Sequence, residues 1–222
     1  MPVWTDVPLA YAGEAELIDR FPVLAAGLVH KASNHLTRRR SGFATLVHII
    51  LEQQVSIVAA KAMLLRLAAT IDPIRPASFL DLDDTTLRRC GFTRQKAGYA
   101  RALATGLLEG RIDPDAWHRL SDADALAAIT AMKGFGPWSA QCYLIWAMGR
   151  EDVFPAGDLA LQIGWQELAG LPHRPDAQAI DAIAQGFRPY RTTASLLIWH
   201  AYLQRRLKPV TAVGATRPIS KA

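Results

Sequence analysis

The chain has 222 residues, half of them hydrophobic, and carries 25 Lys and Arg against 20 Asp and Glu, a formal net charge of +5. A mean hydropathy of +0.09 and a pI of about 9.5 describe a globular protein of one domain or two closely packed lobes that suits an anionic partner, and they exclude a chain too polar to bury a core. No apolar run approaches the roughly 20 residues of a membrane span. Asp6, Glu14 and Glu16 near the N-terminus are unlike a signal peptide. Cys90 and Cys142, the only cysteines, belong to no metal-ligand or redox pattern, so reduced thiols and a cytoplasmic location are expected.

Apolar residues recur at helical spacing along nearly the whole chain, and few segments read as strands, so the expected fold is all-α. Helices are predicted over about 14–30, 42–53, 56–70, 84–90, 94–109, 114–118, 122–132, 138–148, 158–169, 176–186 and 193–206. Short loops join them, punctuated by Asp72-Pro73 with Pro76, Gly91, Gly110 with Pro114, Gly149, Gly170 with Pro172, and Pro189. The pattern stops after Arg206, and 207–222 reads as a flexible basic tail.

In chain order, the first break that bears on chemistry is Gln53-Gln54-Val55-Ser56, two adjacent amides between apolar helices, with Ser56 a natural N-cap. Arg94 and Lys96 open a later helix, either as phosphate contacts or as a solvated helix start. Ser121 to Asp124 has the form of a capping box ahead of an apolar helix. That helix runs into Lys133-Gly134-Phe135-Gly136-Pro137-Trp138-Ser139-Ala140, in which two glycines turn the chain and Pro137 stands where a new helix has no N–H partner anyway. Free amides at a helix N-terminus suit a phosphate oxygen and are indifferent to base identity. Asp158 follows as the simplest N-cap of the next helix, where amides and dipole favour a carboxylate anion. Among six tryptophans, Trp138 and Trp199 lie beside these segments, and their flat faces suit a cationic base.

These motifs, in this order, resemble the helix-hairpin-helix DNA glycosylases with a Gly/Pro-rich loop and an essential aspartate, and within them the 3-methyladenine DNA glycosylase II branch. The resemblance covers about residues 40–206 and implies a two-lobed helical fold with the active site in the cleft between lobes. One lobe would comprise 1–42 plus 149–206, the other 43–148, with 207–222 the tail. It implies Asp158 as the catalytic carboxylate, Trp138, Trp199 and Cys142 as lesion-pocket residues, and Gln54 as the wedge in the duplex. The amides of Gly134, Gly136 and Ser139 would hold phosphate; Arg94 and Lys96, which the resemblance does not assign, stay candidate phosphate contacts from the sequence itself. Carbonyls of Thr130, Met132 and Phe135 match those that often hold Na+ or K+, and no cofactor is required. Cys142 stands where better-known bacterial members have an aromatic residue, and the chain is expected to lack the extra N-terminal sheet domain of longer relatives.

Family members that also cut the strand place a lysine at the position of Trp138, and tryptophan cannot form the Schiff base. The resemblance therefore implies a monofunctional glycosylase, a monomer acting on double-stranded DNA that contains alkylated purines and leaving an abasic site. Two alternatives stand beside it: a glycosylase for another damaged or mismatched base, and a non-catalytic DNA-binding module in which Asp158 is only a cap.

Overall fold

The computed structural model describes residues 3–33 and 36–206; the expected basic tail at 207–222 lies outside the described residues. The described chain is mostly helical: α1 (Glu14–Arg20), α2 (Ala26–Ser33), α3 (Phe43–Glu52), α4 (Ile57–Thr70), α5 (Pro76–Leu80), α6 (Asp84–Cys90), α7 (Arg94–Leu108), α8 (Pro114–Trp117), α9 (Asp122–Thr130), α10 (Pro137–Tyr143), α11 (Leu159–Ala169), α12 (Ala177–Ala184) and α13 (Arg191–Arg206). Side-chain caps start many of them. Ser56, Asp83, Thr93, Ser121, Asp158 and Asp176 each accept from the backbone N–H three residues on, filling one of the donors a helix start leaves open.

The structure departs from the periodicity in three places. The stretch 14–30 is split, because Pro22 cannot continue α1 and instead opens a 3-10 turn, Pro22–Ala25, ahead of α2. Pro76, read as punctuation, occupies the first turn of α5, where its missing N–H has no cost. A small antiparallel ribbon also forms, β1 (Trp4–Pro8) against β2 (Thr37–Arg39), with Trp4 opposite Arg39 and Pro8 opposite Thr37. At Ser121 the expected capping box is not reciprocal: the Ser121 hydroxyl accepts from the Asp124 N–H and donates to the Asp124 carboxylate at 2.6 Å.

Two groups of helices each gather around one buried helix. In α13, every residue from Thr192 to Ala201 is buried, and this helix packs on α2 and α11. In α3, Phe43 and Thr45 to Leu51 are buried, and α4, α7 and α10 pack against it, with α5 on α7 and α6 on α4. Each group has its own aromatic cluster, with edge-on contacts that favour the ring quadrupoles. Phe79 meets Phe43 and Phe92 at 5.5 Å each, while Phe187 meets Phe21 at 4.8 Å and Trp165 at 5.3 Å. The buried hydroxyl of Tyr143 on α10 accepts from the Gly42 N–H at 2.9 Å and lies 2.6 Å from the Ser41 hydroxyl, tying α10 to the start of α3. Among the described residues no helix is long and apolar enough to cross a membrane.

The α2–α13 contact depends on a missing side chain. A Cβ on Gly27 would stand 2.3 Å from the Leu197 carbonyl oxygen of α13, which is backbone and cannot swing away. Gly27→Ala is expected to destabilise the fold by about 1–3 kcal/mol through overpacking, read as a lower denaturant midpoint with an unchanged slope.

Candidate active site

Asp158 sits where three helices converge. It caps α11, its Oδ1 accepting from the Leu161 N–H at 2.9 Å. Trp199 of α13 donates its indole N–H to the same oxygen at 3.1 Å, and Trp138 of α10 donates to Oδ2 at 2.8 Å. A carboxylate oxygen has two acceptor directions, so Oδ1 is filled and Oδ2 keeps one open. The loop before Asp158 is tied down on both sides. Gln141 of α10 donates to the Phe154 carbonyl at 3.0 Å and Gln162 of α11 to the Ala156 carbonyl at 2.8 Å. At its start, Arg191 of α13 bonds Asp152 at 2.7 Å, and Thr192 bridges Arg150 and Val153.

The turn from α9 to α10 carries the glycines. Gly134 has φ of +89°, and a Cβ there would lie 2.3 Å from the Tyr99 ring, so α7 packs directly against the turn. Gly136 is different: its φ of −96° suits any residue and a Cβ would meet nothing within 4 Å. Pro137 then opens α10, leaving the Trp138 and Ser139 amides as first-turn donors without intrahelical partners. Ser139 is buried, and its hydroxyl lies 3.1 Å from the Gln53 side-chain amide, which also donates to the Gly134 carbonyl at 2.8 Å.

Gln53 therefore binds the glycine turn to the loop after α3. Beside it, Gln54 is exposed with φ of +56°, the one non-glycine residue at positive φ among those described, a conformation that costs about 1–3 kcal/mol. Lys96, expected at a phosphate, is turned inward instead: its ammonium donates to the Leu51 carbonyl at 2.9 Å and the Gln53 carbonyl at 2.8 Å, at the negative end of α3. Burial there lowers its pKa. Arg94, in the first turn of the same helix, stays exposed.

A π-type turn, Leu144–Met148, continues α10 and carries Trp146. The Trp146 and Trp199 rings stack at 5.6 Å with a 22° tilt, and the Arg39 guanidinium lies 4.9 Å from the Trp146 centroid. Arg39 makes a bidentate pair with Glu52, at 2.8 and 2.7 Å, and His48 lies 3.5 Å from the same carboxylate. Cys142 is fully enclosed. Burial first, then the charges of Asp158 and Glu52, raise its pKa well above the ordinary thiol range, so it is a neutral buried thiol.

Asp158, Trp138 and Trp199 are thus brought into direct contact, with Cys142 in their field. Trp146, Arg39 and Glu52 were missed. Arg39 reads as one of three consecutive arginines and Glu52 as a charge at a helix end, and nothing in spacing along the chain pairs them.

The buried charges have a pH consequence. Burial lowers the His48 pKa to about 4, with Glu52 opposing and Arg39 reinforcing. Burial pushes Glu52 up, but the charge and hydrogen bonds of Arg39 outweigh this and leave it below its ordinary value. Between the ordinary histidine value of 6.5 and about 4, the unfolded chain takes up a proton that the folded protein refuses. Stability should therefore fall on acidification through that window, by on the order of 3 kcal/mol at most. Urea unfolding across this pH range checks it, and His48→Gln should flatten the slope.

The sequence matches the family model for the HhH-GPD superfamily base excision DNA repair protein over residues 47–189. It is 27% identical over 170 residues to DNA-3-methyladenine glycosylase 1 of Schizosaccharomyces pombe, covering 75% of each chain. The fold is similar to the solved structure of the Schizosaccharomyces pombe 3-methyladenine DNA glycosylase Mag1 in complex with abasic DNA, with a TM-score of 0.68, 27% identity, and coverage of 74% of this chain and 81% of that one. It is also similar to DNA-3-methyladenine glycosidase from Bacillus halodurans, with a TM-score of 0.67 and 26% identity, over 90% of this chain and 91% of the other. The matched span holds the Gln53–Gln54 loop, the glycine turn and Asp158, and takes in more than half of the chain, which belongs to the HhH-GPD superfamily of base excision DNA repair proteins.

Proposed function

We propose that this chain is a monofunctional DNA glycosylase that flips an alkylated purine of the 3-methyladenine or 7-methylguanine type out of duplex DNA and hydrolyses its N-glycosidic bond. The observation that carries this reading is the Asp158 carboxylate, gripped by two indole N–H groups and one helix amide with a single acceptor direction left on Oδ2.

Alkylation at N3 or N7 makes the purine cationic and a good leaving group, so little acid catalysis is needed. The electron pair of the glycosidic bond leaves with the base, and the sugar becomes oxocarbenium-like. A carboxylate fixed beforehand stabilises that charge without reorganising. The free direction of Oδ2 aligns a water, whose oxygen bonds to the anomeric carbon as its proton passes to the Asp158 carboxylate, which returns it to solvent. Trp138 and Trp199, with Cys142, offer the pocket walls, and indole faces attract a cationic base. Because Trp138 occupies the position of the lysine in strand-cutting relatives and spends its N–H on Asp158, no Schiff base forms.

Extrusion costs a few kcal/mol. The exposed, strained Gln54 fits the role of wedge, and Gln53 and Lys96 hold its loop. First-turn amides of α10, with Gly134, Gly136 and exposed Arg94, suit a phosphate. The carbonyls of Thr130, Met132 and Phe135 fit a Na+ or K+ ion, since the end of α9 presents hard oxygens at a dipole's negative end and the Met132 carbonyl, which accepts from Phe135 N–H at 3.1 Å, keeps a second lone pair. Such an ion would brace the turn. The lobes fall at 1–42 plus 149–206 and at 43–148, each around its own buried helix, and the protein works as a cytoplasmic monomer on double-stranded DNA.

Base release from duplex DNA containing 7-methylguanine tests the proposal. Wild type should release free base, with strand breaks only after alkali, whereas Asp158→Asn should lose at least about 100-fold in rate while still binding abasic-site DNA. Release unchanged by Asp158→Asn would sink the mechanism, and binding without release by wild type would leave a DNA-binding module. Gly136→Val provides a second check. A Cβ there meets nothing within 4 Å in the free protein but stands where a phosphate would approach, so stability should fall by no more than about 1 kcal/mol, the loss expected at an N-cap glycine, while affinity for abasic-site DNA drops about tenfold, near 1.4 kcal/mol.

A further inference from the structure

Glu52, Arg39, Trp146, Trp199 and Asp158 form one unbroken line of contacts, although they come from α3, β2, the π-type turn, α13 and the cap of α11. At its far end, the Arg39 and Glu52 side chains are only 8% and 13% exposed. Ions withdrawn this far from water lose several kcal/mol of hydration each, and apolar residues of similar volume commonly serve stability as well or better. Fold stability alone is therefore a weak reason for the pair. What the pair does provide is direction. The bidentate bond to Glu52 fixes the guanidinium plane, which lies over Trp146 at 4.9 Å. Trp146 stacks on Trp199 at 5.6 Å. The Trp199 indole N–H, finally, reaches Asp158 Oδ1 at 3.1 Å. A second arginine ties down the same turn, as Arg38 donates to the Ala147 carbonyl at 3.0 Å. Wide turns of this kind inside α-helices are frequent at functional sites.

We propose that the buried Arg39–Glu52 pair is a positioning unit for base excision, acting through Trp146 to hold the Trp199 ring and so the orientation of the Asp158 carboxylate. The proposal rests on Asp158 being the catalytic group. Rotation of Trp199 misaligns the indole N–H that donates to Asp158, leaves the second acceptor direction of Oδ1 open and lets the carboxylate turn, which lowers the rate of the chemical step and not the affinity for DNA.

Removing one partner would strand a buried charge, so the test removes both. The Arg39→Met/Glu52→Leu double variant and Trp146→Leu are compared with wild type and with Trp146→Phe, which keeps an aromatic face. Three quantities are measured: single-turnover release of 7-methylguanine from duplex DNA, affinity for duplex containing a tetrahydrofuran abasic-site analogue, and the 15N–1H resonance of the Trp199 indole. The expected result is release slowed about 30-fold in the double variant and in Trp146→Leu, analogue affinity within about threefold, and most of the rate restored in Trp146→Phe. The Trp199 indole signal should move in the slowed variants toward its position in Asp158→Asn. Release within about threefold of wild type with an unmoved indole signal overturns the proposal, as does loss of rate matched by equal loss of analogue affinity. If the double variant does not fold, the two Trp146 variants give the same readouts. Should wild type bind the analogue but release no base, the glycosylase reading fails, and the indole signal alone decides the positioning claim.

Discussion

The arrangement depends on one carboxylate held by three donors that no single segment of the chain supplies. Leu161 N–H is local, the ordinary gift of a helix start to its cap. Trp138 and Trp199 are not local, and each fixes Asp158 relative to a different helix, α10 and α13. The bonds that brace the loop before Asp158 repeat this pattern, Gln141 from α10 and Arg191 and Thr192 from α13. An anion at this point is tolerated because its donors are already in place, and the same preorganisation is what lets a carboxylate face a developing positive charge at little cost.

Rigidity and strain are divided between two loops. Around Asp158, the preceding loop is held by the Gln141 and Gln162 amides, the Thr192 hydroxyl and the Arg191 guanidinium, and the carboxylate by two indoles. Around Gln54, the backbone is held in a left-handed conformation and the side chain is left exposed, followed by exposed Val55, Ile57 and Val58. Such strain persists only where neighbours over-determine it, and here the residue just before it, Gln53, is held by its side chain at the glycine turn and by its carbonyl at Lys96, which also binds the Leu51 carbonyl. The loop is thus rigid in its frame and unfinished at its tip. In the proposed reading, a base stack completes it.

Much of this was legible in the chain, for identifiable reasons. Caps such as Ser56 and Asp158, and helix starts such as Pro137, act within a few residues, so local chemistry reveals them. The three motifs carry their own spacing, and Asp158, Trp138 and Trp199 could be named before their contacts were known. The β1–β2 ribbon escaped because Thr37 to Arg39 is a three-residue strand with no alternation to read. Lys96 was misdirected toward phosphate because a lysine in a helix's first turn resembles a surface charge until the carbonyl end of α3 is seen beside it. Arg39, Glu52 and Trp146 were invisible for a deeper reason. Buried ion pairs and aromatic stacks between distant elements have no period and no fixed separation, so only the tertiary fold can pair them.

That last class also bears on how such a site selects its target. Aromatic faces and a fixed carboxylate recognise positive charge without directional hydrogen bonds to a base edge, and the enclosed neutral thiol of Cys142 adds none of strength. A pocket of this kind discriminates poorly among shapes of cationic base. Under the proposed mechanism, selectivity comes instead from the leaving group. A neutral purine must depart with an unneutralised negative charge unless an acid protonates it, whereas a cationic one departs neutral. Because the carboxylate stabilises both sugars equally, the barrier difference belongs to the lesion itself, and a rate ratio of a hundredfold requires only about 2.7 kcal/mol between the two leaving groups. Precision in the site is then needed at Asp158 and at the indole N–H groups that hold it, which is where the structure places its most elaborate support.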